Sequence, residues 1–132
     1  QDRMLSMTRA TQQIQKHNRP IVFFPEGTIN AEAQPQLSGF KDGAFKVAIE
    51  NKVKIVPITI PYNWILLPSH KKLFARWFKC EVIIHEAIET KHLQPEDYLS
   101  LKQQVFQILD TEINKHNTPA IIAKYGGKQR NS

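Results

Sequence analysis

The sequence has one cysteine and no long apolar run. Each of these features limits the classes of protein to which the chain can belong. Cys80 is the only cysteine among 132 residues, which excludes an intramolecular disulfide and a zinc site built from thiolates and fits a reducing compartment. We expect it to be a small apolar member of a strand rather than a reactive thiol. No apolar run approaches the roughly 20 residues of a membrane-spanning helix. An apolar content of 41% and a charged content of 23% are typical of one globular domain.

Other functional signatures are missing as well. The sequence has neither a P-loop nor a dinucleotide-binding glycine pattern. His70, His85 and His116 are scattered without the spacing of metal ligands, so we expect them at surface or strand positions and predict no metal site. The chain begins Gln-Asp-Arg-Met, without an initiator methionine or the apolar core of a signal peptide. We therefore expect its first residue to mark a cut inside a longer chain.

Basic residues outnumber acidic residues in this sequence. Lysine and arginine number 18 against 12 aspartates and glutamates, which gives a net charge of +6 and favours anionic partners. Aromatic, leucine and lysine residues mix between Tyr62 and Trp77, a composition that suits contact with an anionic membrane surface. It equally suits a loop that covers the core and exposes a solvated basic face, and the sequence leaves both interpretations open.

The apolar periodicity predicts an α/β domain with a mainly parallel or mixed sheet flanked by helices. Helices are predicted at residues 4–18, 40–51 and 95–117, strands at 21–24, 53–60 and 78–88, and an irregular segment at 61–79. Residues 1–118 form this domain, and residues 119–132 are expected to be a basic, flexible tail. Because the first predicted strand already follows a helix, we expect a neighbouring strand upstream. The domain would then be incomplete, and its unpaired sheet edge would invite self-association.

A short motif follows the first predicted strand, where residues 24–28 read Phe-Pro-Glu-Gly-Thr. Open α/β sheets bind ligands at the carboxyl ends of their strands. Gly27 lets a ligand approach the backbone and Thr28 offers a hydroxyl. Glu26 can accept hydrogen bonds from substrate hydroxyls or orient a cation that grips phosphate. The alternative is a plain strand-to-loop turn in which Glu26 only satisfies backbone amides.

Two further segments give this motif a context. Residues 40–45 read Phe-Lys-Asp-Gly-Ala-Phe and residues 55–58 read Ile-Val-Pro-Ile. Together with residues 24–28, in this order and spacing, they resemble the third and fourth sequence blocks of the glycerolipid acyltransferases, which include 1-acylglycerol-3-phosphate acyltransferase. The match is sharp over residues 20–60 and general over 60–117. The resemblance implies that the chain is the C-terminal part of such an acyltransferase domain.

The resemblance also implies an activity and a set of partners. The family transfers a fatty acyl group from acyl-CoA or acyl carrier protein to the hydroxyl of a lysophosphatidic acid-like acceptor in phospholipid synthesis, without a further cofactor. Glu26, Gly27 and Thr28 would then bind the acceptor, and Lys41 is a candidate for its phosphate. The implied location is the cytoplasmic face of a membrane, reached peripherally or through segments outside these residues.

The sequence departs from the family pattern in two ways. Ile29 stands where the third block usually continues with arginine, which removes a fork-shaped phosphate donor and leaves the identity of the acceptor open. The family's catalytic base is a histidine with an aspartate five positions later, upstream of the glutamate block. Here His17 is the only histidine before Glu26, and the residue five positions on is Val22. We therefore expect no catalytic residue in this chain and no activity from it alone.

One histidine does have the catalytic spacing, but at the wrong place in the chain. His92 is followed five positions later by Asp97. Pro95, Glu96 and Asp97 are also suited to the first turn of the long helix, where proline costs no hydrogen bond and acidic residues favour the helix dipole. We regard the pair as a decoy, because geometry rather than spacing defines a catalytic pair.

An alternative function needs no catalysis. A basic module would bind acidic lipid or nucleic acid through Lys71, Lys72, Arg76, Lys79 and the tail, and its binding would weaken steeply with salt. The lysines are not interleaved with aromatic residues in a pattern typical of nucleic-acid binding, so the preferred interpretation includes no nucleic-acid partner.

Overall fold

The computed structural model describes residues 2–28, 34–68 and 76–126. Within these ranges it contains five α-helices, one 3₁₀ turn and a two-stranded sheet. The helices are α1 (Asp2–His17), α2 (Gly43–Glu50), α3 (Asn63–Leu66), α4 (Tyr98–His116) and α5 (Pro119–Gly126). The strands are β1 (Ile58–Thr59) and β2 (Ile83–Ile84), and the 3₁₀ turn Pro95–Asp97 leads directly into α4.

The sheet is antiparallel, with Ile58 opposite Ile84, and an isolated antiparallel bridge joins Ile55 to Ile88. The predicted combination of helices with a sheet is confirmed, and so are the approximate positions of its second and third strands. The parallel arrangement is not found in the described residues. Pro57 and Pro61 bracket β1, and proline has no N–H to donate, which keeps the ladder short.

Residues 21–24 differ from their prediction as a strand buried on both faces. They lie outside the ladder, and the side chains of Val22 and Phe24 are 78% and 81% exposed. Pro20 and Pro25 bound the segment, and proline has no N–H to donate to a ladder at either end. In the described part of the chain no strand pairs with it, and Val22 and Phe24 face solvent whereas Ile21 and Phe23 are partly buried.

The main core joins α2 to α4. Phe45 and Ile49 of α2 pack against Leu101, Val105 and Leu109, all nearly inaccessible to solvent. The three α4 residues are four positions apart, so they share one face of the helix, as the sequence predicts. This packing fixes α2 and the segment that leads into it.

Helix α1 packs against the start of α2. It ends near its predicted boundary, where Asn18 adopts a left-handed backbone conformation with φ of 50°. A Cβ atom on Gly43 would stand only 2.6 Å from Cε of Met7, so the missing side chain lets the two helices approach closely. The buried Ala10 lies on the same helix.

A second cluster forms around α3, in the segment predicted to be irregular. Tyr62, Trp64 and Ile65 are buried there, and partly buried Phe78, Ile121 and Tyr125 pack against them. Ile121 and Tyr125 belong to α5. Residues 119–126, expected to be part of a flexible tail, instead form this helix, and its two partly buried side chains attach it to the cluster. Residues 127–132 lie outside the described ranges, and the domain boundary at 118 stays a prediction.

One buried amide links this cluster to α4. Asn117 is 5% exposed, and its Oδ1 accepts a hydrogen bond of 2.8 Å from Nε1 of Trp64. Its Nδ2 donates to the carbonyl oxygens of Pro61 and Ile113, at 3.0 and 2.9 Å. The side chain thus satisfies three buried groups at once, and leaving such groups unpaired is costly.

We expect Asn117→Ala to destabilise the chain by about 2 kcal/mol, because it leaves the indole N–H and a carbonyl without partners. The measurement is the free energy of unfolding in urea. Asn114→Ala is the matched control on the same helix. Asn114 is exposed and bonds only the Asp110 carboxylate at 3.0 Å, so its removal should change stability by less than about 0.5 kcal/mol. Equal effects of the two substitutions would contradict the linking role of Asn117.

Candidate functional site

The predicted motif forms a tight turn. The N–H of Gly27 donates to the carbonyl oxygen of Phe24 at 3.0 Å, which closes the turn over Pro25 and Glu26. Gly27 has φ of +68°, in the left-handed region where glycine alone is free of side-chain strain. The backbone conformation therefore favours glycine at this position.

The turn is attached to the segment that enters α2. The N–H of Lys41 donates to the carbonyl oxygen of Pro25 at 2.7 Å. Cγ of Lys41 would lie 3.4 Å from a Cβ placed on Gly27. The lysine side chain therefore lies along the open face of the glycine. Two of the predicted acceptor-binding positions, distant in sequence, are neighbours in the structure.

The Glu26 carboxylate has a main-chain partner. Its Oε2 accepts the N–H of Ser38 at 2.7 Å, and the residue is partly buried. This contact corresponds to the alternative that the sequence left open, in which the glutamate satisfies a backbone amide. It connects the turn to residues 34–40. A direct contact of Glu26 with a substrate stays a prediction.

The other predicted positions lie at the surface. Gly27, Thr28 and Lys41 are exposed, so the predicted site is an open edge rather than an enclosed pocket. Ile29, the position that departs from the family pattern, lies outside the described residues. A separate groove of about 300 Å³ is lined by Lys46, Ile49, Glu50, Pro95, Glu96 and Tyr98. It lies between α2 and the 3₁₀ turn and contains none of the predicted acceptor-binding residues.

The edge carries an excess of positive charge. Nζ of Lys102 lies 2.7 Å from Oδ1 of Asp42, which joins the start of α2 to α4. The hydrogen bond from Lys102 lowers the pKa of the Asp42 carboxyl, and the charges of Lys102, Lys46 and Lys41 add to the effect. Three lysines thus surround one carboxylate. Even with Glu26 counted, the local charge is positive and suited to an anion.

The decoy pair has a structural explanation. Oδ2 of Asp97 accepts the N–H of Gln94 at 2.7 Å, and the Gln94 side chain completes a capping box at the start of the helical segment. His92 is exposed. Among the described contacts, none joins His92 to Asp97. The interpretation of this stretch as a helix start is therefore supported by its geometry.

Two other histidines have roles that the sequence analysis missed. Nε2 of His116 lies 2.9 Å from Oε1 of Glu112, and its Nδ1 lies 3.2 Å from the hydroxyl of Tyr62. Nε2 of His85 lies 2.8 Å from Oγ1 of the buried Thr59. The spacing of Glu112 and His116, four residues apart on a helix, is a signal for their pairing. Within the described ranges no group of three or more His, Cys, Asp or Glu residues is arranged to hold a metal ion.

The basic segment is only partly described. Lys79 pairs with Glu81 at 2.9 Å, and its Nζ lies 4.7 Å from the ring centroid of Tyr62. The ion pair raises the pKa of Lys79 and lowers that of Glu81. One cation of the alternative basic module is therefore neutralised by a neighbour. His70, Lys71, Lys72 and residues 127–132 lie outside the described ranges.

The exposure of Cys80 differs from its prediction. The sequence suggests a small apolar member of a strand, but the residue is exposed and precedes β2. The ladder begins only at Ile83, so Cys80 has no facing strand to cover it.

The sequence also predicts no membrane-spanning helix. In the described part of the chain, no helix is long and apolar enough to cross a bilayer.

Comparisons with known proteins identify relatives of the chain. The family model described as Acyltransferase matches residues 1–61. A 1-acyl-sn-glycerol-3-phosphate acyltransferase of Chlamydomonas reinhardtii is 39% identical over 69 residues, 52% of this chain and 20% of the relative. The enzyme of that name from Saccharomyces cerevisiae is 27% identical over 123 residues, 92% of this chain and 40% of the relative.

A third relative is the chloroplastic 1-acyl-sn-glycerol-3-phosphate acyltransferase of Arabidopsis thaliana. It is 36% identical over 73 residues, which are 55% of this chain and 20% of the relative. The chain thus spans between a fifth and two fifths of the length of these three relatives. No solved structure matches the chain significantly.

We expect Lys102→Met to raise the pKa of Asp42 towards its ordinary value of 3.8, because the substitution removes the hydrogen-bonding cation that lowers it. The pKa is measured by NMR titration of the Asp42 carboxyl carbon. Since the folded pKa lies below the unfolded one, the pair stabilises the fold above the unfolded pKa, and this contribution is lost as the pH falls through the folded pKa. The stability difference between wild type and Lys102→Met should therefore shrink in acid. Lys115→Met, far along α4, should leave the Asp42 titration unchanged.

Proposed function

We propose that this chain is the acceptor-binding part of a glycerolipid acyltransferase domain, a proposal supported by the match of residues 1–61 to the family model described as Acyltransferase. The parent protein would transfer a fatty acyl group from acyl-CoA or acyl carrier protein to the hydroxyl of a lysophosphatidic acid-like lipid. The observation that carries this proposal is the apposition of Lys41 and Gly27, with Cγ of the lysine 3.4 Å from the Cβ position of the glycine. This contact places residues of two separate sequence blocks, 24–28 and 40–45, on one surface.

The proposed acceptor site combines positively charged side chains with an open surface beside a glycine. The Lys41 ammonium meets the phosphate of the acceptor, and its charge is reinforced by Lys46 and Lys102 around Asp42. Gly27 leaves room beside Lys41, since a Cβ there would already be in contact with Cγ of the lysine at 3.4 Å. Thr28 is exposed beside them and offers a hydroxyl as a hydrogen-bond partner. With isoleucine at position 29, phosphate recognition depends on the point charge of lysine rather than on an arginine fork.

Glu26 acts in this proposal mainly as a positioning residue. Its hydrogen bond of 2.7 Å from the Ser38 N–H fixes the turn against residues 34–40. A charge-assisted bond of this kind is stronger than one between neutral groups, so the turn is held firmly. The lysine and the threonine then keep a constant separation, which a site needs to orient an acceptor hydroxyl.

The proton-transfer step requires residues outside this chain. A general base removes the proton of the acceptor hydroxyl, the oxygen attacks the thioester carbonyl, and the thiolate leaves with a proton. His17 has no aspartate five positions later, and the Asp97 carboxylate caps a helix. We therefore assign the base to a histidine–aspartate pair elsewhere in the parent protein.

The sheet belongs to the same proposal. Alternate residues of the two strands and of the segments that flank them form one exposed face, with individual exposures between 42% and 70%: Val56, Ile58, Ile60, Val82 and Ile84. A face this apolar is rarely left open to solvent. We propose that further elements of the parent cover it and that residues 21–24 pair with another strand, which would complete a mainly parallel or mixed sheet. The isolated chain would instead self-associate through these surfaces.

We expect no acyl transfer from the 132-residue chain and clear transfer from the parent protein. In the parent, Lys41→Met should raise the KM for the phosphate-bearing acceptor about 10- to 100-fold, because a charged hydrogen-bond donor is lost. The KM for the acyl donor should stay nearly constant. Lys16→Met on the exposed side of α1 is the control and should change neither value. Robust turnover by the short chain would refute the assignment of the base to other residues.

The role of Glu26 is testable with two substitutions in the parent protein. Glu26→Ala should abolish most of the activity, since the turn loses its bond to Ser38. Glu26→Gln keeps a carbonyl oxygen at the same position and should retain much of kcat while weakening acceptor binding modestly. Steady-state kinetics with varied acceptor measures both effects. Equal loss in the two variants would show that the negative charge itself contacts substrate, and the positioning role would be wrong.

A further inference from the structure

We propose that Met7 is a site of reversible oxidation by hydrogen peroxide, and that its oxidation releases helix α1 from the start of α2. The thioether lies directly against Gly43, the first residue of α2. A Cβ atom on that glycine would stand 2.6 Å from Cε and 2.9 Å from Sδ of Met7. The methionine therefore fills the space that a side chain at position 43 would occupy.

The sulfur is accessible to a small oxidant although it belongs to a packed contact. Met7 is partly buried, and the buried Ala10 lies three positions later on the same face of α1. That face packs against α2. Hydrogen peroxide is small enough to reach the partly exposed thioether from solvent, so Met7 combines access for the reagent with a role in the contact between the helices.

The chemistry converts an apolar side chain into a polar one. A lone pair of the Met7 sulfur attacks one oxygen of hydrogen peroxide, and the S–O bond forms as the O–O bond breaks. The departing oxygen keeps its proton, takes the second one and leaves as water. The thioether loses two electrons and becomes a sulfoxide. Methionine sulfoxide reductases reverse the step with a dithiol, which becomes a disulfide while the oxygen leaves as water.

The added oxygen is poorly accommodated beside Gly43. With Sδ already so close to the glycine, the sulfoxide either crowds the backbone or buries a polar oxygen in an apolar contact, and both are unfavourable. The flexible side chain avoids this by turning towards solvent, and α1 then loses its contact with α2. Gly43 follows Asp42, whose Oδ1 lies 2.7 Å from Nζ of Lys102. The segment that loses support is therefore the one that leads from Lys41 into α2. The inference concerns this helix contact and stands apart from the proposed function.

The test compares two variants of the 132-residue chain, whose sulfur atoms belong to Met4, Met7 and Cys80. Met4→Leu with Cys80→Ser leaves Met7 as the only sulfur. Adding Met7→Leu gives a sulfur-free control with a similar side-chain volume. Mass spectrometry should show one added oxygen after peroxide in the first variant and none in the control. We expect the Tm of the first variant to fall by about 3 °C or more, and that of the control to change by less than about 1 °C. The two reductases, one for each sulfoxide epimer, should restore the Tm.

A local measurement separates release of α1 from general damage. In spectra of the ¹⁵N-labelled chain, oxidation should shift the amide signals of Asp42 and Gly43 most. The signal of Asn117 should stay nearly constant, because this residue is buried in the separate cluster around α3 and bonds Trp64.

A substitution of the glycine tests the contact without any oxidant. Gly43→Ala places a Cβ in the space that Met7 occupies, so it should lower the Tm of the otherwise unchanged chain. Combined with Met7→Ala, the same substitution should cause no further fall, because the space is then empty and alanine favours a helix over glycine.

Three results would overturn the inference. The first is a sulfoxide at Met7 that leaves the Tm unchanged or raises it. The second is resistance of Met7 to peroxide in the folded chain when the same residue is oxidised in urea. The third is a fall in Tm that the reductases do not reverse although the mass returns to its starting value.

Discussion

The packing of α2 against α4 is the constraint on which the rest of the structure depends. Phe40 is buried in that core, with its ring 6.3 Å from Phe45 and edge-on to Phe106 at 5.0 Å. The next residue is Lys41, so its backbone is fixed by the core although its side chain is exposed. That backbone holds Pro25 through a bond of 2.7 Å. The position of the candidate site is thus determined by apolar contacts that lie behind it.

Helices were the most predictable part of the fold because their signals are local. The spacing of Leu101, Val105 and Leu109 defines one face of α4, and that face is buried. The strands were predictable in position but not in pairing. In residues 53–60 the odd-numbered side chains turn towards the core, while Val56 and Ile58 are apolar and exposed. Since both faces are apolar, the alternation that identifies a half-exposed strand is hidden, and the run resembles a strand buried on both sides.

The candidate site was predictable only as separate pieces. The sequence indicates a turn at Gly27 because that residue type suits a positive φ. The contact between Gly27 and Lys41, and the bond from Ser38 to Glu26, join residues more than ten positions apart in the sequence. The same limit applies to His116, whose partner Tyr62 is 54 residues away. A pattern read along the chain carries no information about such partners, because tertiary packing brings them together.

The apolar face beside the sheet and the Lys41 edge leave different chemistry exposed. The apolar face around Ile58 and Ile84 is flat and built by paired strands, the form of surface that another layer of secondary structure covers. At the Lys41 edge, the hydrogen bond from Lys102 and the charges of Lys102, Lys46 and Lys41 lower the pKa of the Asp42 carboxyl. Desolvating such charges against a protein core would be costly. The two surfaces therefore suit different partners, a layer of polypeptide at the sheet and an anion at the lysine edge.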